Sequence, residues 1–479
     1  MAVDPKLYAA RRLGFGLRAD QDLDGAPRDW AMAQIRSIPK LDFYKSDGTS
    51  MGDAIPPDAQ LVDYPAACDR FGEEDAAEEA LLKSHGGDEE FWQVFAKYWE
   101  LPYWGAAMAT TLTAVNGPSP VFERFWQFWC NHFTASISTG HGKILLGSHI
   151  QELRATMTGS FEDMLLAAIA NPATIYYLDG VYSVGPHSRS GKSFSLNENL
   201  GRELLELYSV SPAAGYTQAD VVESALILTG WTFSGGAKYK KTGVYFAGAK
   251  AGVAFDVGYH EPGARTVMGK TYAADNKTGG QLKALIKDLA VHPSTATFIA
   301  TKLARAFVGD QPPQDSIDRI AAAFSSSKGD LVTVHSAVID EALTAGPNFA
   351  KFMRPGLWLQ QAHKALGARI DLDMPSAQTL RAGLTQTYRD LGEEFCGPPQ
   401  PSGWSELEAD WLSMATLDRR VRYATLLSRK VDTTVAPHLG DYIARFADGD
   451  SALSQACQAE KSVHGRAVLL LASPQFLRI

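Results

Sequence analysis

The sequence has few cysteines and no cluster of basic residues, and each absence excludes a class of protein. Its 479 residues include four cysteines, at positions 68, 130, 396 and 457, without a CxxC pair. This spacing indicates neither a zinc ribbon nor a thioredoxin-type redox site, so we interpret all four as free thiols. The net charge is −9, and no long Lys/Arg run is present. Because phosphate backbones are bound by clustered cations, nucleic acid is not expected as a partner.

Long apolar runs and familiar catalytic motifs are missing as well. No stretch approaches the ~20 apolar residues that span a bilayer, and the first residues, MAVDPKLYAARRLGFG, contain no apolar segment of a secretory signal. We therefore expect a cytoplasmic protein, or a periplasmic or exported one if a leader has been removed or the chain travels with a partner. The spacings of HExxH, the EF-hand, the P-loop, GxSxG and GxGxxG are absent, so their mechanisms are not indicated.

Most patterns that are present in the sequence predict α-helices. Ser160 and Thr217 each precede an Asp by three positions, which predicts capped helix starts. Ser294 is predicted to cap a third helix that ends at Gly309. Aromatic residues between 91 and 99 recur at three- and four-residue steps, which predicts one buried helix face.

One region breaks the helical pattern. Residues 232–275 hold many glycines between short β-prone pieces, including residues 244–246 (VYF) and 266–268 (TVM). We therefore predict a mainly α, large multi-helix globular fold with a small antiparallel β insert around residues 232–275. The predicted segments are an N-terminal helical segment with an acidic connection, a helical core, the β insert and a C-terminal helical lobe, which could form one continuous domain: 1–90, 91–231, 232–275 and 276–479.

The polar residues that could carry chemistry concentrate in the middle of the chain. Glu203 and Glu206 lie one turn apart on a predicted helix and can face one cleft. With His132 and His260 brought in by the fold, they could supply ligands for a divalent metal, or an acid and a base with different pKa values. We predict Glu203, Glu206 and His260 as catalytic residues, and His132, His260 and Glu203 as the ligands of a possible metal.

Other residues are predicted to bind substrate, and each also has a structural interpretation. Arg202 could bind an anion, and Asn131, Asn199 and Trp231 could line the cleft. Arg202 with Glu198 could equally form a surface ion pair, because i,i+4 pairs of this kind are common. Trp231 and His132 could be core residues, an asparagine could cap a helix, and the glutamates could belong to a buried network.

Ordered blocks along the chain resemble a known bacterial family, the domain of unknown function 1800 family. They are residues 11–16 (RRLGFG), 128–133 (FWCNHF), 177–180 (YLDG), 197–199 (NEN), 202–207 (RELLEL), 215–218 (GYTQ), 228–231 (LTGW), 260–263 (HEPG), 292–293 (HP), 403–404 (GW) and 471–476 (LASPQF). The resemblance implies an α-helical fold of bacterial origin and no established activity. It also implies a gene neighbour that resembles sulfatases and alkaline phosphatases. The sequence departs from the family pattern at three positions: Cys130 and Tyr208 stand where His is usual, and Glu261 where Asp is usual.

Three functional hypotheses follow. The first is an enzyme, a metal-assisted or acid/base hydrolase acting on a polar envelope or extracellular substrate. The second is a non-catalytic protein that binds a glycan or chaperones the sulfatase- or phosphatase-like partner. The third is a metal- or haem-dependent oxidoreductase, which only the histidines support.

Overall fold

The fold is mainly α-helical, as predicted. The computed structural model describes residues 4–138, 140, 142–190, 195–234, 252–275, 278–346, 349–376, 383–446 and 451–479. Within these ranges, no helix is long and apolar enough to cross a membrane.

The described residues of the first half form eleven α-helices, with a π-helical segment, Ala96–Glu100, between the fourth and fifth. They are α1 (Pro5–Leu13), α2 (Pro27–Gln34), α3 (Tyr64–Ser84), α4 (Asp88–Phe95), α5 (Leu101–Asn116), α6 (Pro120–His132), α7 (Gly142–Ala155), α8 (Phe161–Ile169), α9 (Pro172–Tyr177), α10 (Asn199–Glu206) and α11 (Gln218–Leu228).

The second half continues with helices after the β region. They are α12 (Gly280–Ala290), α13 (Pro293–Phe307), α14 (Gln314–Ser327), α15 (Leu331–Thr344), α16 (Pro355–Leu366), α17 (Gly383–Leu391), α18 (Glu408–Trp411), α19 (Met414–Leu427), α20 (Leu439–Phe446), α21 (Ala452–Ala459), α22 (Val463–Ala472) and α23 (Pro474–Leu477).

The predicted β insert is present and antiparallel. Its described part consists of two hairpin-like pairs, in which Trp231 pairs with Phe255 and Arg265 pairs with Tyr272. The strands are β1 (Trp231–Ser234), β2 (Gly252–Phe255), β3 (Arg265–Val267) and β4 (Lys270–Tyr272). The predicted β piece at residues 244–246 lies outside the described residues.

Two of the three predicted helix caps are confirmed. Ser160 and Thr217 form complete capping boxes with Asp163 and Asp220 at the starts of α8 and α11. The third predicted cap was wrong by two residues, because the side chain of His292 accepts the hydrogen bond from the Ser294 N–H. The chain bends into α13 at His292 since a proline follows it, and proline is favoured at the first helical position.

The prediction of one buried aromatic face between residues 91 and 99 was also wrong. Phe91 and Trp92 are 45% and 37% exposed, and no residue of α4 is buried. The aromatic stretch approaches the core only at its end, where Tyr98 and Trp99 of the π-helical segment are partly buried against it and Trp99 contacts Phe95 with ring centroids 4.7 Å apart.

Two large clusters of buried apolar residues form most of the core among the described residues. The first contains Trp129 and Leu204 and draws residues from all four predicted segments, from Leu13 to Ala342. The second joins the chain ends, with Leu7 and Leu471 as members. Both clusters are packed by the same bridging side chains: Trp30, Leu41, Leu61 and Phe395. The division into four segments stays a prediction.

Candidate active site

Helix α10 carries the two predicted catalytic glutamates, and Asn197 fixes its first turn. The Asn197 Oδ1 accepts the backbone N–H of Asn199 at 2.9 Å, while its Nδ2 donates to the carbonyls of Leu178 and Asp179, each at 3.2 Å. Asn197 therefore ties the start of α10 to the end of α9. Asn199 is exposed in that first turn.

Glu203 and Glu206 lie one turn apart on α10 and are both partly buried, while Leu204 and Leu205 between them are fully buried. Among the described residues, none hydrogen-bonds or forms an ion pair with the Glu203 carboxyl group. Burial, and then the charge of Glu206, raise the pKa of Glu203 to about 7. The Arg202 charge opposes this shift only in part, so the pKa of the Glu203 carboxyl group lies near neutral pH.

Tyrosines surround the glutamate pair. Burial and then Glu203 raise the pKa of Tyr177 to about 12. The Tyr208 side chain is 1% exposed, and burial, followed by Glu203, raises its pKa well above the ordinary value. Its hydroxyl donates to the Thr134 carbonyl at 3.2 Å. The Tyr216 hydroxyl donates to Glu206 Oε2 at 3.4 Å, which orients that carboxylate.

Arg202 forms the surface network that its spacing suggested. Its Nη2 lies 3.5 Å from Glu198 Oε2 and donates to Gln218 Oε1 at 2.9 Å. Gln218 in turn donates to Glu198 at 2.6 Å. The side chains of Glu198 and Arg202 are 39% and 38% exposed, so the guanidinium is accessible to an anion in solution.

His132 lies inside the first core cluster. Its ring packs 4.4 Å from that of Phe133 and 6.2 Å from that of Tyr208, measured between centroids. Both ring nitrogens are buried, and the backbone of Tyr208 is close enough to one of them to oppose in part the effect of burial on the pKa. Burial lowers the pKa of His132 well below its ordinary value, so the imidazole is neutral at neutral pH.

Lys302 of α13 approaches the same aromatic group and was not singled out from the sequence. Its Nζ lies 5.6 Å from the Phe298 ring, whose centroid is 6.3 Å from that of His132. It has no hydrogen bond or ion pair with a described residue. Burial lowers the pKa of Lys302 to about 8, although the charge of Glu406 opposes this. Burial lowers the pKa of Lys364 in the same way, and since burial depends on the fold, the sequence gives no signal for either lysine.

His260 is buried in the turn after β2. Its Nδ1 donates to the Thr229 carbonyl at 2.8 Å, which leaves Nε2 as a buried acceptor without a partner in the described part of the chain. Burial lowers the pKa of His260. A neutral imidazole with one unpaired nitrogen can accept a proton or bind a ligand.

Asn131 and Trp231 have structural contacts. Asn131 Nδ2 donates to the Trp404 carbonyl at 2.8 Å, and its Oδ1 accepts the Trp404 N–H at 2.7 Å. A Cβ on Gly403, which has φ +80°, would lie 2.2 Å from the Asn131 carbonyl oxygen. Trp231 is 9% exposed and packs on Phe255 with ring centroids 5.6 Å apart.

The predicted metal ligands are not gathered into one group. No three His, Cys, Asp or Glu side chains of the described residues are placed to hold a metal ion together. All three predicted ligands belong to the described residues. His132 lies in the aromatic core, His260 in the turn after β2, and Glu203 on α10, where it is partly buried.

Comparison with known proteins gives the family. The family model described as "Protein of unknown function (DUF1800)" matches residues 8–478. No curated protein and no solved structure matches the chain. Since the match covers nearly the whole sequence, the chain belongs to the DUF1800 family.

Proposed function

We propose that the chain is an enzyme, a hydrolase that uses Glu203 for proton transfer. One observation carries the proposal: a half-buried carboxyl group, unpaired among the described residues, whose pKa is raised to about 7. A group with a pKa near the working pH is present in both protonation states and suits general acid/base catalysis. Perturbed carboxyl groups of this kind concentrate at functional sites.

In the proposed reaction, ionised Glu203 accepts a proton from a water molecule as that water attacks the substrate. The neutral acid then returns the proton to the leaving group. Burial raises the pKa of Glu203 most, and the negative charge of Glu206, whose carboxylate accepts a hydrogen bond from Tyr216, raises it further. Arg202, on the neighbouring position of α10, binds an anionic part of the substrate, and Asn199 lies on the exposed first turn beside it.

The histidines enter the proposal as neutral bases. His260 keeps an Nε2 atom without a partner among the described residues, and His132 is a buried, neutral imidazole beside the backbone of Tyr208. A divalent metal held by His132, His260 and Glu203 would require these side chains to converge, whereas acid/base chemistry at Glu203 requires no such group. The contacts of Glu203 therefore support the acid/base form of the hypothesis.

The substrate class and the partner remain part of the proposal. A polar envelope or extracellular substrate, and a sulfatase- or phosphatase-like partner, are expectations from the family resemblance. The competing hypothesis is a non-catalytic glycan-binding or partner-chaperoning protein. That hypothesis expects the candidate residues to have structural contacts, as Asn131 and Trp231 do. A metal- or haem-dependent oxidoreductase has only the two histidines in its favour.

The test compares two matched variants of neighbouring glutamates. The wild-type chain, Glu203→Gln and Glu198→Gln are assayed against p-nitrophenyl esters, phosphates, sulfates and glycosides. General acid/base catalysis typically contributes about 10²–10⁴-fold, so Glu203→Gln should lose activity by about that factor. Glu198→Gln removes an ion-pair partner of Arg202 but leaves Glu203 in place, so it should keep kcat and change only KM. Equal activity of the two variants, or no hydrolysis by the wild-type chain, would count against the proposal.

A second measurement needs no substrate. The difference between the infrared spectra of the wild-type chain and Glu203→Gln isolates the Glu203 carboxyl band, which is then titrated. We expect a midpoint near pH 7. A midpoint near the ordinary 4.5 would remove the basis of the proposed chemistry.

A further inference from the structure

An exposed surface at the end of α3 and the start of α4 combines apolar side chains with negative charge. We call it the acidic face, and it consists of six exposed residues: Leu82, Asp88, Glu89, Glu90, Phe91 and Trp92. Residues 73–90 contain eight acidic residues and one lysine, whereas the whole chain has a net charge of −9. Most of the net negative charge is therefore concentrated around this face.

The aromatic rings of the acidic face are held by their neighbours. The Trp92 ring contacts those of Phe91 and Phe95, with centroids 5.4 Å apart in both pairs. Phe95 contacts Trp99, which packs against the first core cluster and donates to Glu74 Oε1 at 3.1 Å. Since the exposed rings are already ordered by these contacts, a partner that covers them loses little side-chain entropy.

A second exposed surface, on α19, combines apolar side chains with positive charge. We call it the basic face, and it consists of five exposed residues: Met414, Arg419, Val421, Arg422 and Leu426. Residues 419–430 contain five basic residues and no acidic one. Asp418 adjoins the face and pairs with Arg422 at 2.8 Å, so one acidic charge stands against several basic ones.

The apolar part of the basic face is prominent. The Met414 and Leu426 residues are 83% and 57% exposed. Arg420, Ala424 and Leu427, on the other side of α19, are buried and attach the helix to the core. The exposed apolar side chains are therefore displayed by a helix that is fixed in place.

The two faces are chemically complementary. Tryptophan, methionine and arginine are the residues that protein interfaces favour, and both faces are built from them. A guanidinium group binds over an indole ring, and a thioether sulfur packs favourably against an aromatic ring. The carboxylates of the acidic face have the opposite charge to the arginines of α19, so the basic face of another copy offers the partners that this surface can bind.

We propose that the acidic face of one copy of the chain binds the basic face of a second copy. Arg419 and Arg422 then pair with Glu89 and Glu90, while Met414 and Leu426 pack on the exposed aromatic rings. The contact is heterologous, because it joins two different surfaces of the same chain. Apolar burial supplies the attraction and charge sets the orientation, so salt should weaken the contact by screening.

The test reverses the charge of each face in turn. The first variant combines Glu89→Lys with Glu90→Lys, and the second combines Arg419→Glu with Arg422→Glu. Sedimentation velocity over a concentration series should show self-association of wild type that weakens at high salt. Each variant alone should stay monomeric, because its two faces then have the same sign.

An equimolar mixture of the two variants should form a heterodimer. The first variant keeps the native basic face and the second keeps the native acidic face, so one native contact is restored. This restoration also shows that both variants are folded. A monomeric wild type at every concentration, self-association of either variant alone, or a mixture that stays monomeric would overturn the proposal.

Two matched controls separate the faces from the rest of the surface. Trp92→Ala should weaken self-association by roughly 30-fold, because tryptophans at the centre of interfaces carry much of the binding energy. Tyr182→Ala removes another exposed aromatic ring, outside both faces, and should have no effect. Asp315→Lys with Asp318→Lys makes the same change of charge on exposed positions of α14 and should also leave self-association intact. Equal effects of Trp92→Ala and Tyr182→Ala would contradict the proposed contact.

A further measurement uses only the wild-type sequence. Copies labelled with ¹⁴N and ¹⁵N are mixed and treated with a carbodiimide, which joins a carboxylate to a neighbouring lysine. Mixed-isotope cross-links should connect Asp88, Glu89 or Glu90 to Lys430, the lysine that follows α19. Cross-links between copies that join only other segments would overturn the proposal. None of these readouts depends on hydrolase activity, so their failure is separate from a failure of the function proposed for Glu203.

Discussion

The carboxylate of Glu261 holds His187 by two hydrogen bonds. It accepts the backbone N–H at 2.8 Å and Nδ1 at 2.7 Å. The Glu261 side chain is 3% exposed, whereas that of His187 is 81% exposed. Nearby, the Gly185 N–H donates to the Tyr259 carbonyl at 2.9 Å. Glu261 therefore fastens the turn that precedes α10 to the turn that contains His260.

Glu261→Ala should lower the free energy of unfolding by about 1–3 kcal/mol, because the part-buried backbone N–H of His187 loses a charged hydrogen-bond acceptor. Urea unfolding measures this loss. His187→Ala is the control: it keeps the backbone hydrogen bond and removes only a bond to an exposed ring, so its effect should be smaller. An equal loss in both variants would show that the ring, not the backbone, is the important partner.

The stability of the protein should depend on the ionisation of Glu203. Its folded pKa of about 7 is above the ordinary 4.5, so the folded chain holds this proton more tightly than the unfolded chain. The stability contributed by neutral Glu203 is therefore complete below about pH 4.5 and is lost as the pH rises to about 7.

Glu203→Gln, which mimics the neutral acid, should raise the free energy of unfolding by about 1 kcal/mol at alkaline pH, after allowance for the solvent exposure of the group. In acid the variant and wild type should be alike. Melting curves across this pH range, with Glu198→Gln as control, measure the difference. A variant less stable than wild type at every pH would assign Glu203 to a structural network instead.

Asn131 should stabilise the segment that contains Trp404. Asn131→Ala removes both hydrogen bonds to the Trp404 backbone and should cost about 1–3 kcal/mol locally. Amide hydrogen exchange at Trp404 should then be at least about tenfold faster, since 1.4 kcal/mol corresponds to a factor of ten. Gln127→Ala, one turn earlier on α6, leaves these bonds intact and should not change it. Unchanged exchange in Asn131→Ala would show that other contacts hold the segment.

The features that sequence could predict are local. The capping boxes at Ser160 and Thr217 depend on residues three positions apart, and the structure contains both. The proximity of Glu203 and Glu206 follows from one helical turn in the same way. Within the site, therefore, sequence could identify the carboxyl pair, because helix geometry alone places the two side chains together.

The features that the sequence could not predict depend on contacts between distant segments. Asn131 hydrogen-bonds to Trp404, and Cys130 and Cys396 line the same cavity. In each pair the two residues are separated by more than half of the sequence. Burial is likewise a property of the assembled core: it lowers the pKa of Lys302 and raises that of Glu203, although both residues look ordinary in the sequence. No spacing within one helix encodes these partners.

The buried ion pair of Glu123 and Arg154 should be strongly coupled. The two Oε atoms accept hydrogen bonds from Arg154 at 2.5 and 2.7 Å, and the side chains are 0% and 5% exposed. Arg154 also stacks 4.7 Å from the Trp126 ring and donates to the Pro39 carbonyl. Burial raises the pKa of Glu123 despite this partner, so the pair bears a large desolvation cost.

Glu123→Gln removes the negative charge, keeps the shape and leaves a buried guanidinium without its counter-ion, so we expect a loss of about 3–5 kcal/mol in unfolding free energy. Arg154→Met should cost a similar amount, because it leaves the carboxylate unpaired. The combination of Glu123→Gln with Arg154→Met leaves no unpaired charge and should cost less than the sum of the two. Urea unfolding of the three variants measures the coupling. An additive double variant would mean that the pair does not act as one unit, and that Arg154 stabilises the protein mainly through Trp126 and the Pro39 carbonyl.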